Sequence, residues 1–90
     1  MNKCIVTVVG QDTVGIIARV CTYLADNKIN ILDITQTITS GFFNMMMVVD
    51  MDQKSKDFSD ICDELSALGI EIGVDIRCQN AEIFKRMHRL

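Results

Sequence analysis

The alternation of hydrophobic and polar residues divides the chain into six elements and a short tail. A run of β-branched residues, Ile5 to Val9, is typical of a buried strand and predicts a first strand over residues 3–9. Apolar residues spaced by three and four positions predict helices over residues 14–27 and 56–68. Alternating apolar and polar residues predict strands over residues 29–39, 42–51 and 70–78. A final apolar stripe predicts a short helix over residues 81–90.

The faces of the predicted strands differ in polarity. The second strand carries threonines on one side, which suits a sheet edge. The third strand has one fully apolar face and one mixed face, and the mixed face is too apolar to lie open to water without a cover. The fourth strand alternates throughout, with its apolar positions at Ile70, Ile72, Val74, Ile76 and Cys78.

Small and polar residues mark the ends of these elements. Gly10 permits a backbone conformation that residues with a Cβ avoid, so it predicts a turn after the first strand. Asp12 or Thr13 is a candidate N-cap of the first helix. Gly69 is placed as the C-cap of the second helix, and Asn80 can cap the tail helix.

The order strand, helix, strand, strand, helix, strand predicts an α+β fold of the ferredoxin-like βαββαβ type. Its four-stranded antiparallel sheet has the order 4-1-3-2, and both helices lie on one face. Cys4 and Cys78 are expected to be neighbours in the sheet. We expect one domain over residues 1–78 and an amphipathic helix over residues 79–90. That helix, or a second subunit, is expected to cover part of the bare sheet face.

Composition and charge narrow the functional classes. The 90 residues are 49% hydrophobic, which is high for so small a domain and suggests a surface closed by another subunit. No apolar run is long enough to span a membrane and the N-terminus has no signal-peptide organisation, so a cytoplasmic protein is expected. The net charge is −3, and residues 1–78 alone carry −5. Such an acidic body does not favour nucleic acid as a partner.

The chemistry-bearing residues form no catalytic or metal-binding pattern. The four cysteines are widely separated, without a Cys-x-x-Cys pair, and are expected to be reduced core residues. His88 is the single histidine and lies in the basic tail. We therefore expect no enzymatic activity, no metal and no cofactor. The turn from Gly10 to Gly15 can be a carboxylate-binding site at a helix start or simply a capped helix after a tight turn.

Motifs along nearly the whole chain resemble the ACT domain, a small-molecule-binding regulatory module of amino-acid metabolism. The chain looks closest to small stand-alone ACT proteins of unknown function in bacteria and archaea. It is also similar to the N-terminal ACT domains of glycine-cleavage regulators and formyltetrahydrofolate deformylase. The segments that carry the resemblance are residues 8–17 (VVGQDTVGII), 24–27 (LADN), 30–38 (NILDITQTI) and 43–50 (FNMMMVVD).

The resemblance implies a homodimer with side-by-side sheets and an amino acid bound at the subunit interface. The ligand would lie between the loop after the first strand and the start of the second strand, with the output passed to a protein partner. In this loop the chain has Val14, where many family members have proline. The alternative is an interaction module that keeps the fold and has lost the ligand. The candidate ligand-binding residues are Gly10, Gln11, Asp12, Gly15, Asn30 and Ile31.

Overall fold

A computed structural model of the chain describes residues 3–11, 15–52 and 56–80. The elements follow the predicted order of strands and helices. They are β1 (Lys3–Gln11), α1 (Ile16–Asp26), β2 (Asn30–Thr39), β3 (Phe42–Asp50), α2 (Phe58–Ile72) and β4 (Val74–Asn80).

The four strands form one antiparallel sheet in the order β2-β3-β1-β4. This is the predicted order 4-1-3-2 counted from the other edge, so the predicted ferredoxin-like fold is confirmed. β2 is an edge strand, as its threonines predicted, and nine of its ten residues are exposed. The predicted tail helix falls in residues 81–90, outside the described residues.

The core lies between the sheet and the two helices. Alternate residues of β1 and β3 point into it, and the apolar face predicted for the third strand is buried. Leu24 of α1 and Leu65 of α2 are fully buried against these strands. The strand residues of this cluster are Cys4, Val6, Val8, Phe43, Met45, Met47, Val49, Val74 and Ile76.

The end of α2 differs from the prediction. The helix continues through Gly69 to Ile72, and Gly73 is its C-cap with a left-handed φ of 81°. Gly69 is instead a buried helical residue, and a Cβ there would lie 2.7 Å from the carbonyl oxygen of Val74. Ile70, predicted to lie on the apolar side of the fourth strand, is instead a helical residue that is 83% exposed. The apolar alternation of a strand and the spacing of a helix overlap in this segment, and the close approach of α2 to β4 decides between them.

The turn after β1 also differs from the prediction. Gly10 is a strand residue in the ladder, where a Cβ would lie 2.7 Å from Cγ1 of Val74. Glycine is therefore needed there for a close approach and not for a turn. The N-cap of α1 is Gly15, while the predicted caps Asp12 and Thr13 fall among residues 12–14, outside the described residues.

Three of the four cysteines meet beneath α2. Cys4 pairs with Asn80 in the ladder and Val6 with Cys78, which places Cys4 and Cys78 diagonally across β1 and β4. A hydrogen bond with the Cys4 thiol, together with burial, raises the pKa of Cys78. Cys62 of α2 donates to the carbonyl oxygen of Cys78 at 3.7 Å, and burial raises the pKa of its thiol. The cluster of Cys4, Cys62 and Cys78 is a packed set of neutral thiols.

Candidate functional site

The N-terminal end of α1 is the first part of the candidate site. Gly15 caps the helix with φ 90° and ψ −2°, and it is exposed. Its carbonyl oxygen accepts a hydrogen bond from the Arg19 N–H at 3.0 Å. Within the described residues no side chain caps this end, and the first turn carries no acidic residue. The backbone N–H groups of the first turn therefore form a position that favours an anion such as a carboxylate.

Gly10 and Gln11 lie at the same end of the sheet as Gly15. Gly10 is opposite Phe43, and Gln11 is opposite Phe42. The alternation along β1 places Gln11 on the sheet face that points away from the helices. Gly10 and Gln11 thus form the rim of the sheet below the start of α1, with Gln11 turned to the opposite face.

Asn30 and Ile31 lie at the other end of the sheet. Asn30 is opposite Asp50, which is opposite Lys3 at the start of β1. Gly10 is seven residues further along β1, which corresponds to about 24 Å at ~3.4 Å per residue. The structure therefore brings Gly10, Gln11 and Gly15 to one end of the sheet and Asn30 and Ile31 to the other.

The surroundings of Asn30 are acidic. Asp50 lies directly across the ladder, and Asp33 follows a β-bulge between Ile31 and Asp33. Each carboxylate accepts one backbone N–H, from Asp52 and Ile34 respectively, at 2.9 Å. Among the described residues at this end, the carboxylates of Asp33 and Asp50 outweigh the ammonium group of Lys3, so these residues favour a cationic group over an anion. Sequence reasoning did not single out Asp50 because its link to Asn30 exists only through the register of the sheet.

A separate concave region lies on the sheet face that points away from the helices. Its volume is about 270 Å³. The described residues of its lining carry hydroxyl, amide, thioether and alkyl groups and no charged side chain, so these residues offer no ionic partner to a free amino acid. Of the predicted ligand-binding residues that the structure describes, Gly10, Gln11, Gly15, Asn30 and Ile31, none belongs to it, and Asp12 lies outside the described residues. Its lining residues are Thr7, Val9, Thr35, Thr37, Asn44, Met45 and Met46.

A polar link joins the two helices. The Tyr23 hydroxyl of α1 donates to Oε1 of Glu64 in α2 at 2.8 Å, and Lys56 contacts both carboxylate oxygens of Glu64 at 2.8 and 2.9 Å. Burial and the Glu64 carboxylate raise the pKa of Tyr23, while the hydrogen bond from Lys56 lowers the pKa of Glu64. The arrangement orients α1 against α2 and offers no activated nucleophile or base.

Among residues 3–11, 15–52 and 56–80, no group of three His, Cys, Asp or Glu side chains is arranged to hold a metal ion. None of the described helices is long and apolar enough to cross a membrane.

Comparisons with known proteins agree with this architecture. The ACT domain family model matches residues 2–79. A UPF0237 protein from Bifidobacterium longum is 62% identical over 90 residues, and one from Methanocaldococcus jannaschii is 44% identical over 90 residues; both alignments cover each chain completely. An ACT domain protein from Streptococcus pneumoniae has a solved structure with 43% identity and a TM-score of 0.82, covering 93% of this chain and 94% of that one.

A more distant likeness extends to larger proteins. A formyltetrahydrofolate deformylase from Pseudomonas syringae shares 23% identity with a TM-score of 0.81, covering 89% of this chain and 28% of that one, and it supports the fold alone. In related proteins the ACT domain is a ligand-binding regulatory module rather than a catalytic one. On the match over residues 2–79 and the identities to full-length relatives, this chain belongs to the ACT domain family.

Proposed function

We propose that the protein is an amino-acid-binding regulatory module that acts as a homodimer in the cytoplasm and signals through a protein partner. The observation that carries this proposal is the split of the candidate residues between the two ends of the sheet. One chain supplies an anion-favouring helix start at one end and an acidic, amide-bearing strand start at the other. A zwitterionic ligand needs a partner for its carboxylate and a partner for its ammonium group. A second copy of the chain would bring the helix start and the strand start to the same end of a joined sheet.

The edge of β2 is the surface through which a second copy would pair. In the described residues β2 is bonded to β3 along one side, and its other side carries unpaired backbone groups over ten residues. Ile34 and Ile38 on this strand are 44% and 58% exposed, and Leu32 at the bulge is 41% exposed. Unpaired backbone next to exposed isoleucines is the combination that favours addition of another strand.

The direction of pairing determines the composition of the site. If two β2 strands pair antiparallel about a two-fold axis, the start of one β2 lies at the same end of the joined sheet as the β1–α1 turn of the other copy. Gly15 of one subunit and Asn30 of its partner then share one end, at each of two equivalent sites. In this arrangement the helix start holds the ligand carboxylate, and Asn30 with its acidic neighbours holds the ammonium group.

The dimer is tested by placing a charge at its centre. Ile34 lies near the middle of β2, so the Ile34→Lys variant would set two lysines close to the two-fold axis. We expect this variant to sediment as a monomer. Ile70→Lys is the matched control, because Ile70 is an 83% exposed isoleucine on α2, and α2 packs on β4 at the opposite edge of the sheet from β2. A monomeric parent protein, or an Ile34→Lys variant that remains dimeric, would contradict pairing through β2.

The ligand is tested by a thermal-shift screen of the twenty amino acids, followed by calorimetry with any binder. Gly15→Val is expected to abolish binding and leave the dimer intact, because it adds bulk at the helix start. Valine at a positive φ is strained in itself, so Gly73→Val, at a φ of 81° against 90° for Gly15, is the control for strain. Loss of binding in the first variant and retention in the second supports the site. Equal affinity in both removes Gly15 from it.

The second candidate is an interaction module that has kept the dimer and lost the ligand. The uncharged concave region on the open sheet face favours it, since that surface offers contacts to a protein and no ionic partner to an amino acid. A dimer that no amino acid stabilises would establish this alternative and exclude the sensor.

A further inference from the structure

The sheet face that points away from the helices is buried at one end and exposed at the other. We call it the open face. Ile5 and Val9 both point to it from β1, yet Ile5 is 8% exposed and Val9 is 44% exposed. Among the described residues, Ile5 is the one buried hydrophobic side chain that does not belong to the core cluster. Its burial therefore has a cause other than the packing of α1 and α2.

Neighbours within the sheet do not account for this difference. Ile5 lies between Val48 and Gln79, and Val9 lies between Asn44 and Asp75, so each has a partner on both sides. Partial burial extends from Ile5 to neighbours on β1, β3 and β4, whereas Lys3, Asn30 and Asp33 at the same end are exposed. The open-face residues of intermediate exposure are Thr7, Val48, Asp50 and Gln79, whereas those that are exposed towards the other end include Val9, Phe42, Asn44, Met46 and Asp75.

The chain that follows β4 is in the right place to provide the cover. β4 ends at Asn80, which pairs with Cys4, the residue next to Ile5. Ten residues in a helix span about 15 Å. Three strand spacings of about 4.8 Å give a sheet width of about 14 Å. A helix over residues 81–90 can therefore cross the sheet once, from β4 to β2, at the level of Ile5.

The sequence of residues 81–90 suits this surface. In a helix its four apolar residues fall on one side, and Lys85 falls on the opposite side. The segment is basic, with Lys85, Arg86 and Arg89 against one glutamate. The end of the open face that it would reach carries Asp33 and Asp50. The apolar residues of the stripe are Ile83, Phe84, Met87 and Leu90.

We infer that residues 81–90 fold back over the Ile5 end of the open face of their own chain. The concave region around Val9 and Asn44 is left uncovered at the other end. The open face is then not a face-to-face dimer surface over its whole length, because the protein's own tail occupies half of it. This inference does not depend on pairing through β2. It places the basic tail near Asp33 and Asp50, so the tail and a ligand ammonium group would compete for the same carboxylates.

The experiment is NMR on the full chain, using nuclear Overhauser contacts between the Phe84 ring and the methyl groups of Ile5 and Val48. We expect these contacts, and none between Phe84 and the methyl groups of Val9. A sample mixed from labelled and unlabelled protein separates contacts within a chain from contacts between chains. Contacts seen only between chains would overturn the inference in favour of a second copy.

Two variants provide the matched comparison. Phe84→Ala removes a stripe residue and should shift the Ile5 methyl resonances and speed amide exchange around Ile5. Lys85→Ala changes the opposite side of the predicted helix and should leave both unchanged. Equal effects of the two variants would overturn the inference, and so would contacts to Ile5 from Met1 in the absence of any from Phe84.

Discussion

The replacement of Gly69 by alanine tests how closely α2 approaches β4. Gly69 is buried in the helix interior, where alanine is ordinarily the more stable residue by about 0.8–1 kcal/mol. Here a Cβ would lie 2.7 Å from the carbonyl oxygen of Val74 and 3.1 Å from Cγ1 of Ile76. The nearer atom belongs to the backbone, so no change of rotamer can relieve the contact.

The expected cost follows from the shift that this contact demands. A carbon and a carbonyl oxygen sit comfortably at about 3.3 Å, so α2 and β4 must separate by roughly 0.6 Å. Overpacking of this kind costs about 1–3 kcal/mol, and the gain in helix propensity offsets about 1 kcal/mol of it. We expect Gly69→Ala to lower the free energy of unfolding by up to about 2 kcal/mol. Each kcal/mol corresponds to a fall of about 4–8 °C in melting temperature for a domain of this size.

The assay is urea denaturation followed by circular dichroism, at one protein concentration for all variants. Ala67→Gly, at an exposed position of the same helix, should lose about 1 kcal/mol through propensity alone. Gly73→Asn should cost little, because asparagine tolerates the left-handed conformation of a C-cap. A Gly69→Ala variant more stable than the parent protein would refute the close approach and, with it, the extension of α2 to Ile72.

Two further predictions concern the open face and the link between the helices. Ile5→Thr should destabilise the protein by about 1–3 kcal/mol in urea denaturation, because it places a hydroxyl group in a covered site. Val9→Thr should change the stability by less than about 0.5 kcal/mol, because Val9 is exposed. Equal losses in the two variants would show that the two ends of the open face are equally exposed. The raised pKa of Tyr23 means that the native state holds the phenol proton more tightly than the unfolded state, so stability should fall as the pH rises above about 10. Tyr23→Phe should weaken this decline in thermal unfolding between pH 8 and 11, and an unchanged slope would remove Tyr23 as its cause.

The strand pairing of the fold was predictable because local pattern and global topology agree. The β-branched run of β1, the apolar face of β3 and the threonines of β2 each indicate a face or an edge. With the order of elements given, right-handed crossovers leave few ways to arrange four strands. The predicted sheet order is therefore confirmed.

The predictions for Gly10 and Gly69 were wrong because a glycine in a sequence can serve either a turn or a close approach between elements, and the sequence alone does not distinguish the two. Gly10 and Gly69 were both predicted to end elements, and both lie inside them, where α2, β1 and β4 pass close to one another. Such contacts join residues far apart in the chain and leave no local signal. Gly15 and Gly73 do adopt a positive φ. The left-handed positions therefore lie five residues after Gly10 and four residues after Gly69, where the pattern had placed them.

The candidate site was predictable only as a set of residues, because the geometry that we propose for it depends on a second chain. Within one subunit Gly15 and Asn30 lie at opposite ends of the sheet, so a ligand that contacts both binds the dimer and not the monomer. Binding and association must then be linked, each strengthening the other by the same free energy. At a hundred times its dissociation constant, a ligand with two such sites would tighten the dimer by about 10⁴-fold, since each site contributes a factor of about 100. A dimer whose dissociation constant does not change with a bound amino acid would place that ligand within a single subunit, away from this pair of residues.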